Sequence, residues 1–322
     1  MQQAKLTTYQ PAQFVTSTPA LNEAMDYAVG FDLGGTNIKA VAVSTDGTLL
    51  DHSTCPTEDD ESAVWAERVR RQLIALEEGR GRRARWIGVA APGLVAADGR
   101  SIARVSSRLY RLQGLDWTKH LQAERKIPVL NDAQAALLGE VWQGAARGCR
   151  HAVLLTLGTG VGGALWSDGR LVKGRSGRAG DLGHVSLNVD GQSDAAYIPG
   201  SLEDAIGNST LSLRSNGRFN ATRKLVEAHR AGDVEASYIW LRSVYQLACA
   251  VASFINIFDP EVVIIGGGIA AAGPTLFEPL ARFLERLEWR PEDGPVPVVP
   301  ARLGGLAGAL GAAYNALQNR LA

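Results

Sequence analysis

The chain has no surplus of charge: 33 Lys and Arg residues balance 33 Asp and Glu residues. A neutral chain raises no field of one sign, so nothing in its charge calls for nucleic acid or an anionic membrane as a partner. Cysteine is scarce. Cys55, Cys149 and Cys249 lie far apart and form no CxxC pair. That argues against a disulfide framework or a cysteine-rich metal site and fits a reducing cytoplasm. No uninterrupted apolar run approaches the length of a membrane span, and the first 25 residues lack the basic-then-apolar layout of a secretion signal. The expectation is a soluble, cytoplasmic protein. Glycine, by contrast, is abundant, at 36 of 322 residues. It clusters beside apolar runs, which points to ligand-contacting turns rather than disorder.

The length accommodates two domains, each with its own core. Residues 1–25 are polar and aperiodic and read as a loose extension. From Tyr27 the pattern is strand, glycine turn, strand, and a further strand after Asp46-Gly47. Residues 61–79 place Val64, Trp65, Val69, Leu73, Ile74 and Leu76 at helical spacing. The run WIGVAAPG then reads as a buried strand, PVLND as a short one, and Ala133 to Gly144 as a helix. From His151, HAVLLTLGTGVGGALW repeats the grammar of the first strand–turn unit. Residues 202–214 and 221–258 read as mostly helical, EVVIIGGGIA as an apolar strand running into a glycine turn, and the end as a helix from Gly305. Strands alternating with helices indicate an α/β architecture. The repeated unit predicts two related domains, 26–147 and 148–304, facing a shared cleft, with 305–322 crossing back onto the first.

The segment GFDLGGTNIK (30–39) carries the clearest chemistry. Gly34 and Gly35 remove side chains where the chain folds back, so backbone N–H groups can face a phosphate while Thr36 adds a hydroxyl donor. Asp32 cannot hold an anion, and its natural task beside one is to hold the accompanying metal. A Gly-Gly hairpin beside an Asp also occurs in plain β-structure. Similarly, Gly266, Gly267 and Gly268 either let backbone meet a flat adenine face or simply form a tight β-to-α turn. Asn131 and Asp132 precede AQAALLGE, where helix capping is the ordinary role. Asn131 can cap while Asp132 faces the cleft.

Four segments, DLGGTNIK, PVLNDAQAALLGE, LGTGVGGAL and IIGGGIA, stand in an order and spacing that resembles the ROK family of bacterial sugar kinases, within the actin-like ATPase superfamily. The resemblance spans roughly residues 26–320 and extends to APGLV, GRAGDLGH, GSLE and the terminal GLAGALGAA. It implies a two-domain actin-like (ribonuclease H-like) fold with an interdomain cleft, and ATP-dependent phosphorylation of a sugar or polyol hydroxyl. Asp132 would be the general base, worth about 10²- to 10⁴-fold in rate. ATP would contact Asp32, Gly34, Gly35, Thr36, Asn37 and Lys39 on one side, Gly158, Thr159 and Gly160 opposite, and Gly266, Gly267 and Gly268 at the base. Asp32 would hold Mg2+. Sugar hydroxyls would meet Gly93, Asn131, Asp181, His184 and Glu203, although a histidine beside glycine or a glutamate opening a helix is equally at home as a structural residue. The resemblance also implies a homodimer.

Two departures stand out. Many family members hold a structural zinc with that histidine and cysteines ten, twelve and seventeen residues later. From His184 those positions are Asp194, Ala196 and Ser201. No thiol is present, so no zinc is expected, and Tyr197 and Pro199 are the expected substitutes that restabilise the loop. Secondly, Asp181 stands where hexose kinases usually carry the longer Glu, and Arg108 where they carry Asn. With Arg175 and Arg178 nearby, the acceptor could be an acidic sugar or a cyclitol. The alternative is that these arginines are solvated. Two other functions compete with the kinase: a sugar-sensing repressor of the same family, for which the 25 residues before the first strand leave no room for a DNA-binding module, and a non-catalytic sugar-binding protein, for which Asp32 and Asp132 would have little use.

Overall fold

The computed structural model describes residues 26–58, 63–105, 109–194, 196–290 and 294–319. Three antiparallel strands, β1 (Tyr27–Leu33), β2 (Asn37–Ser44) and β3 (Leu49–Pro56), begin the first sheet. Helix α1 (Val64–Glu78) follows, then β4 (Trp86–Ala91), a small hairpin of β5 (Leu94–Val95) and β6 (Ile102–Arg104), the short α2 (Trp117–His120), and β7 (Val129–Asn131). Strands β4 and β7 add in parallel beside β1, giving the order β3-β2-β1-β4-β7. Helix α3 (Asp132–Gln143) leads to the second sheet, whose strands are β8 (Ala152–Leu157), β9 (Val161–Ser167), β10 (Arg170–Leu171), β11 (Val262–Gly266) and β12 (Val298–Pro300). Its order, β10-β9-β8-β11-β12, repeats the first sheet strand for strand, parallel and antiparallel pairs included.

Alternation along β1 explains how the first sheet is covered. Val29, Phe31 and Leu33 join Trp65, Val69, Leu73 and Leu76 of α1 in one core, while Val64 and Ile74 of that helix remain exposed. Each large apolar side chain so buried contributes roughly 1.5–3 kcal/mol. The opposite face carries glycines because a helix lies almost on the backbone. That helix is α9 (Ala307–Gln318): a Cβ on Gly30 would lie 1.9 Å from the Ala309 oxygen, and one on Gly88 would lie 2.0 Å from the Ala312 oxygen. The same rule packs α9 on α3, where a Gly311 Cβ would stand 1.7 Å from the Ala135 oxygen.

Between β10 and β11 run α4 (Leu202–Ile206), α5 (Leu211–Arg214), α6 (Thr222–Arg230) and α7 (Val234–Phe258), with α8 (Pro274–Leu287) after β11. Trp240, Val244, Leu247 and Val251 of α7 complete a core with Val153, Leu155, Ile265 and Leu276. Among the described residues α7 alone is long and apolar enough to cross a membrane by composition, but half of its most apolar window is buried inside this core, as in a central helix of a globular fold.

One carboxylate joins the two passages of chain between the sheets. Glu140 of α3 is fully buried. It accepts from the N–H groups of Ala145 at 2.7 Å and Arg302 at 3.1 Å on one oxygen, and of Leu303 at 2.9 Å on the other.

Candidate active site

Register brings the first group of site residues to one edge. Asp32 pairs with Ala90, and Ala91 with Asn131, so the carboxyl ends of β1, β4 and β7 finish side by side. In open α/β sheets ligands bind at such ends. Across the β1–β2 hairpin Asp32 faces Lys39. Its half-buried carboxylate rests on α9, where a Cβ on Gly308 would meet it at 2.7 Å. The Asp32 carboxyl is pushed up to about 7, first by burial and then by the charge of Asp132, with Lys39 opposing. The intervening turn is fastened from below: Gly34 N–H donates to Asn37 O at 3.0 Å, and the buried Thr57 hydroxyl donates to Gly34 O at 2.6 Å. Thr36 remains exposed. Neither Gly34 nor Gly35 adopts a positive φ. The demand for glycine is one of space, since a Cβ on Gly34 would lie 2.9 Å from Asn37 O.

Asn131 and Asp132 divide their labour. The Asn131 side-chain oxygen caps α3, accepting from Ala133 N at 3.0 Å and Gln134 N at 3.4 Å, while its amide donates to Gly93 O at 3.2 Å. Gly93 is itself dictated by the fold, with φ +107 and an Arg104 oxygen 2.4 Å from where a Cβ would sit. Asp132 starts the helix, accepts from Ala133 N at 2.8 Å, and is exposed. Protein crowds around the carboxylate although the residue remains exposed. That surrounding protein raises its carboxyl above the ordinary range, against the hydrogen bonds from Ala133 and Asn131 and with a further push from Asp181.

The second glycine turn meets the start of α3, where a Cβ on Gly162 would approach the Ala133 Cβ at 3.3 Å. Gly158 N–H donates to Gly160 O at 2.9 Å, and Thr159 is exposed. Glu203 of α4 accepts from Val161 N at 2.9 Å. The loop after α4 adds N–H donors from Asn208 to Gly158 O at 3.0 Å and from Ser209 to Thr159 O at 2.9 Å. That loop is held in turn by Arg214, whose guanidinium donates to Gly207 O at 2.6 Å and Ser243 Oγ at 2.7 Å and is lowered to about 10 by burial. Of the third glycine group, Gly267 has φ +84 and would clash with Leu157 O at 2.3 Å if it carried a Cβ, so the strand-end turn requires it. Gly266 ends β11, and Gly268 has open space where a side chain would be.

Asp181, His184 and Glu203 form the remaining face. His184 Nε2 lies 3.9 Å from Asp181 Oδ1, and Nδ1 lies 2.7 Å from Asp194 Oδ2. Burial alone would lower the imidazole; the bond to Asp194 and the charges of Asp181, Asp194 and Glu203 outweigh it and hold His184 above its usual value. Asp194 accepts also from Ala196 N at 2.8 Å and Ile198 N at 3.0 Å, and its carboxyl is depressed because these bonds outweigh its burial. The loop is therefore stabilised differently from the sequence expectation. Tyr197 adopts φ +64 and is 87% exposed, so its ring packs on nothing; the backbone of Pro199 takes part by accepting from the Ser186 hydroxyl at 2.7 Å. The positions do not fit zinc: Ala196 has no donor atom, and the Asp194 carboxylate already takes three hydrogen bonds. Arg175 and Arg178 are exposed on a loop that touches the β5 hairpin, with Gly177 facing Leu94. Arg108 lies outside the described residues.

Thr57, Glu140, Asp194 and Arg214 are absent from the sequence-based set. Only Asp194 had an available signal, a carboxylate at the position of the first missing cysteine.

Twin sheets of one topology, each ending in a glycine turn beside the start of a shared helix, define the actin-like ATPase fold. The chain belongs to the ROK family, whose sequence profile matches residues 28–319. It is 36% identical over 307 residues to a glucokinase of Thermotoga maritima, covering 88% of this chain and 95% of that one. The ROK hexokinase of Thermus thermophilus superposes with a TM-score of 0.78 at 30% identity, over 92% of this chain and 99% of the other. A ROK glucokinase of Streptomyces griseus in complex with glucose and AMPPNP superposes with a TM-score of 0.75 at 26% identity, over 91% and 99%.

Proposed function

We propose that this protein is an ATP-dependent sugar kinase that phosphorylates a hydroxyl of a hexose-type sugar, with Asp132 as general base. The carrying observation is the exposed Asp132 carboxylate, near enough to Asp32 of the first glycine turn to raise its carboxyl and adjoining the second turn through Ala133 and Gly162. The kinase relatives support the same reading.

In this mechanism a sugar hydroxyl donates to the Asp132 carboxylate. As its oxygen bonds to the γ-phosphorus, the bond from phosphorus to the β,γ-bridging oxygen breaks, ADP leaves, and the hydroxyl proton passes to Asp132. A raised carboxyl makes a better base at neutral pH than an ordinary one, provided it is ionised. Backbone N–H groups and the exposed Thr36 and Thr159 hydroxyls of the two turns grip the triphosphate, and positioning of that kind is most of what phosphoryl transfer needs from a protein. Gly268, open to solvent, and the groove along Ser209, Ser212 and Leu213 offer surfaces for the base. Asp181, His184 and Glu203 orient the sugar.

Asp32 is the residue that would hold Mg2+. Among the described residues no cluster of three acidic or soft ligands could bind a metal by itself. Magnesium takes one or two carboxylates and completes its shell with water and phosphate oxygens, so the donor set fits. When bound it would neutralise charge on the phosphate oxygens. The same proposal includes a cytoplasmic enzyme with a domain boundary near Arg147–Arg150. It also includes a homodimer, for which exposed Tyr238, Tyr245 and Ile257 on α7 supply apolar surface.

The deciding experiment is ADP release with Mg·ATP across hexoses, amino sugars, sugar acids and cyclitols. The acids are included because of the exposed Arg175 and Arg178. A neutral hexose should be the best acceptor, and Asp132→Asn should abolish turnover while sugar binding persists. Absence of turnover with every acceptor, or full activity in the variant, refutes the assignment.

A further inference from the structure

The four positions at which many ROK proteins place zinc ligands are still connected here, through one carboxylate. Asp194 is almost wholly buried, its side chain 1% exposed. One oxygen faces His184 Nδ1 at 2.7 Å, and the other accepts from the backbone of Ala196 at 2.8 Å and Ile198 at 3.0 Å. The Ser201 side chain lies beside this carboxylate and helps to lower it. Ser201 in turn caps α4, accepting from Asp204 N at 3.1 Å, one residue beyond Glu203. Histidine, loop and helix are thus joined at a single point, as a metal would join them.

We propose that Asp194 is a positioning residue that replaces the family's metal cross-link and determines which hydrogen-bonding character His184 presents to the sugar. A carboxylate can only accept, so the Nδ1 atom facing it must carry the proton. In the neutral ring Nε2 is then left as an acceptor for a sugar hydroxyl. A metal ion held at Nδ1 would do the opposite, taking the Nδ1 lone pair and leaving the ring proton on Nε2 as a donor. The exchange keeps the histidine anchored without metal and turns the Nε2 that faces the substrate from a donor into an acceptor. This inference rests on the reading that His184 touches sugar.

Asp194→Asn separates the inference from simple loop stability. The Ala196 and Ile198 N–H groups both need an acceptor, so the amide oxygen must face them and the NH2 group must face His184. Nδ1 then becomes an acceptor, and the ring proton moves to Nε2. Sugar KM should rise by about 10- to 100-fold, the usual effect of removing the hydrogen-bond partner that orients a ligating histidine. The KM for ATP should not change. The 15N imidazole signals of His184 should switch from the Nδ1–H to the Nε2–H tautomer, a change that a merely structural role would not produce. The wild-type protein should keep full activity after zinc chelation.

His184→Ala serves as the control for the underlying reading. If it leaves sugar KM unchanged, both the sugar role of His184 and this inference fall. If it raises sugar KM while Asp194→Asn changes neither KM nor tautomer, only the inference falls. Activity lost on chelation and restored by zinc would also overturn it.

Discussion

Glu203 and Val161 are joined by a hydrogen bond of 2.9 Å from the backbone N–H of Val161 to the carboxylate, and the same oxygen occupies the space that a Gly160 side chain would need, 2.3 Å from an ideal Cβ. A carboxylate assigned to the sugar therefore also holds the turn assigned to the nucleotide. The two substrates would share one rigid support.

Glu203→Ala should consequently raise KM for both sugar and ATP, by about 10-fold or more each, given that a charge-assisted bond is worth roughly 1.5–3 kcal/mol. Glu203→Gln retains an oxygen for Val161 N–H and should chiefly affect the sugar. Steady-state kinetics with each substrate varied in turn distinguishes the two. An alanine variant that weakens only the sugar would show that the turn does not depend on this bond.

The Asp32 carboxyl stands near 7, so it is partly protonated where ordinary carboxylates are fully ionised, and the Asp132 carboxyl is raised as well. Metal binding requires ionised Asp32, and proton abstraction requires ionised Asp132. The kcat/KM for Mg·ATP should therefore fall as pH drops through about 7. In Asp132→Asn, binding of Mg·ATP should hold to lower pH, because the neighbouring charge that raises Asp32 has gone. A flat profile down to the ordinary carboxylate range would contradict the geometry.

The same shifts act on stability with opposite sign. A carboxyl whose folded value exceeds its unfolded one binds protons more tightly in the native state. Its favourable contribution is complete below the unfolded value near 3.8 and is lost as pH rises through about 7. Without ligands, Asp32→Asn should raise Tm above pH 7 by several degrees, on the order of 1–3 kcal/mol after allowing for partial exposure. It should also weaken Mg·ATP binding. Thermal melts of both proteins across the pH range test the sign directly; an unchanged or lower Tm for the variant at high pH would contradict it.

The parts of this fold that were legible in the sequence are those decided within a few residues. β1, β8 and β11 are apolar runs stopped by glycine, and their Phe31, Leu155 and Ile264 are all fully buried. Asn131 could be separated from Asp132 as cap and exposed acid because both roles follow from position at a helix start. What stayed hidden depends on partners far along the chain. Thr57 supports a turn 23 residues away, and nothing near it in sequence announces the bond. Tyr197 looked like a packing residue, but it is 87% exposed, while Asp194 reaches back ten residues to His184. Counting ligand positions shows where the cysteines are lacking; the contacts of Asp194 emerge only from the geometry.

Glu140 is the strongest case of such a distant partner, and it carries the last prediction. Within AALLGE it reads as one more polar helical position, yet it is buried because residues 302–303 return to it across 163 positions. The chain passes from the first sheet to the second just after Ala145 and returns just after Leu303, so a single side chain fastens both passages. Glu140→Ala would leave three backbone N–H groups without that acceptor in a packed interior and should cost about 2–5 kcal/mol. Glu140→Gln can keep its oxygen toward Ala145 and Arg302 but must turn its NH2 toward the Leu303 N–H, so a smaller loss of about 1–3 kcal/mol is expected. Urea denaturation should rank the proteins wild type, Gln, Ala. Equal stability of all three would mean that water satisfies these N–H groups and that the two passages are held by α3–α9 packing alone.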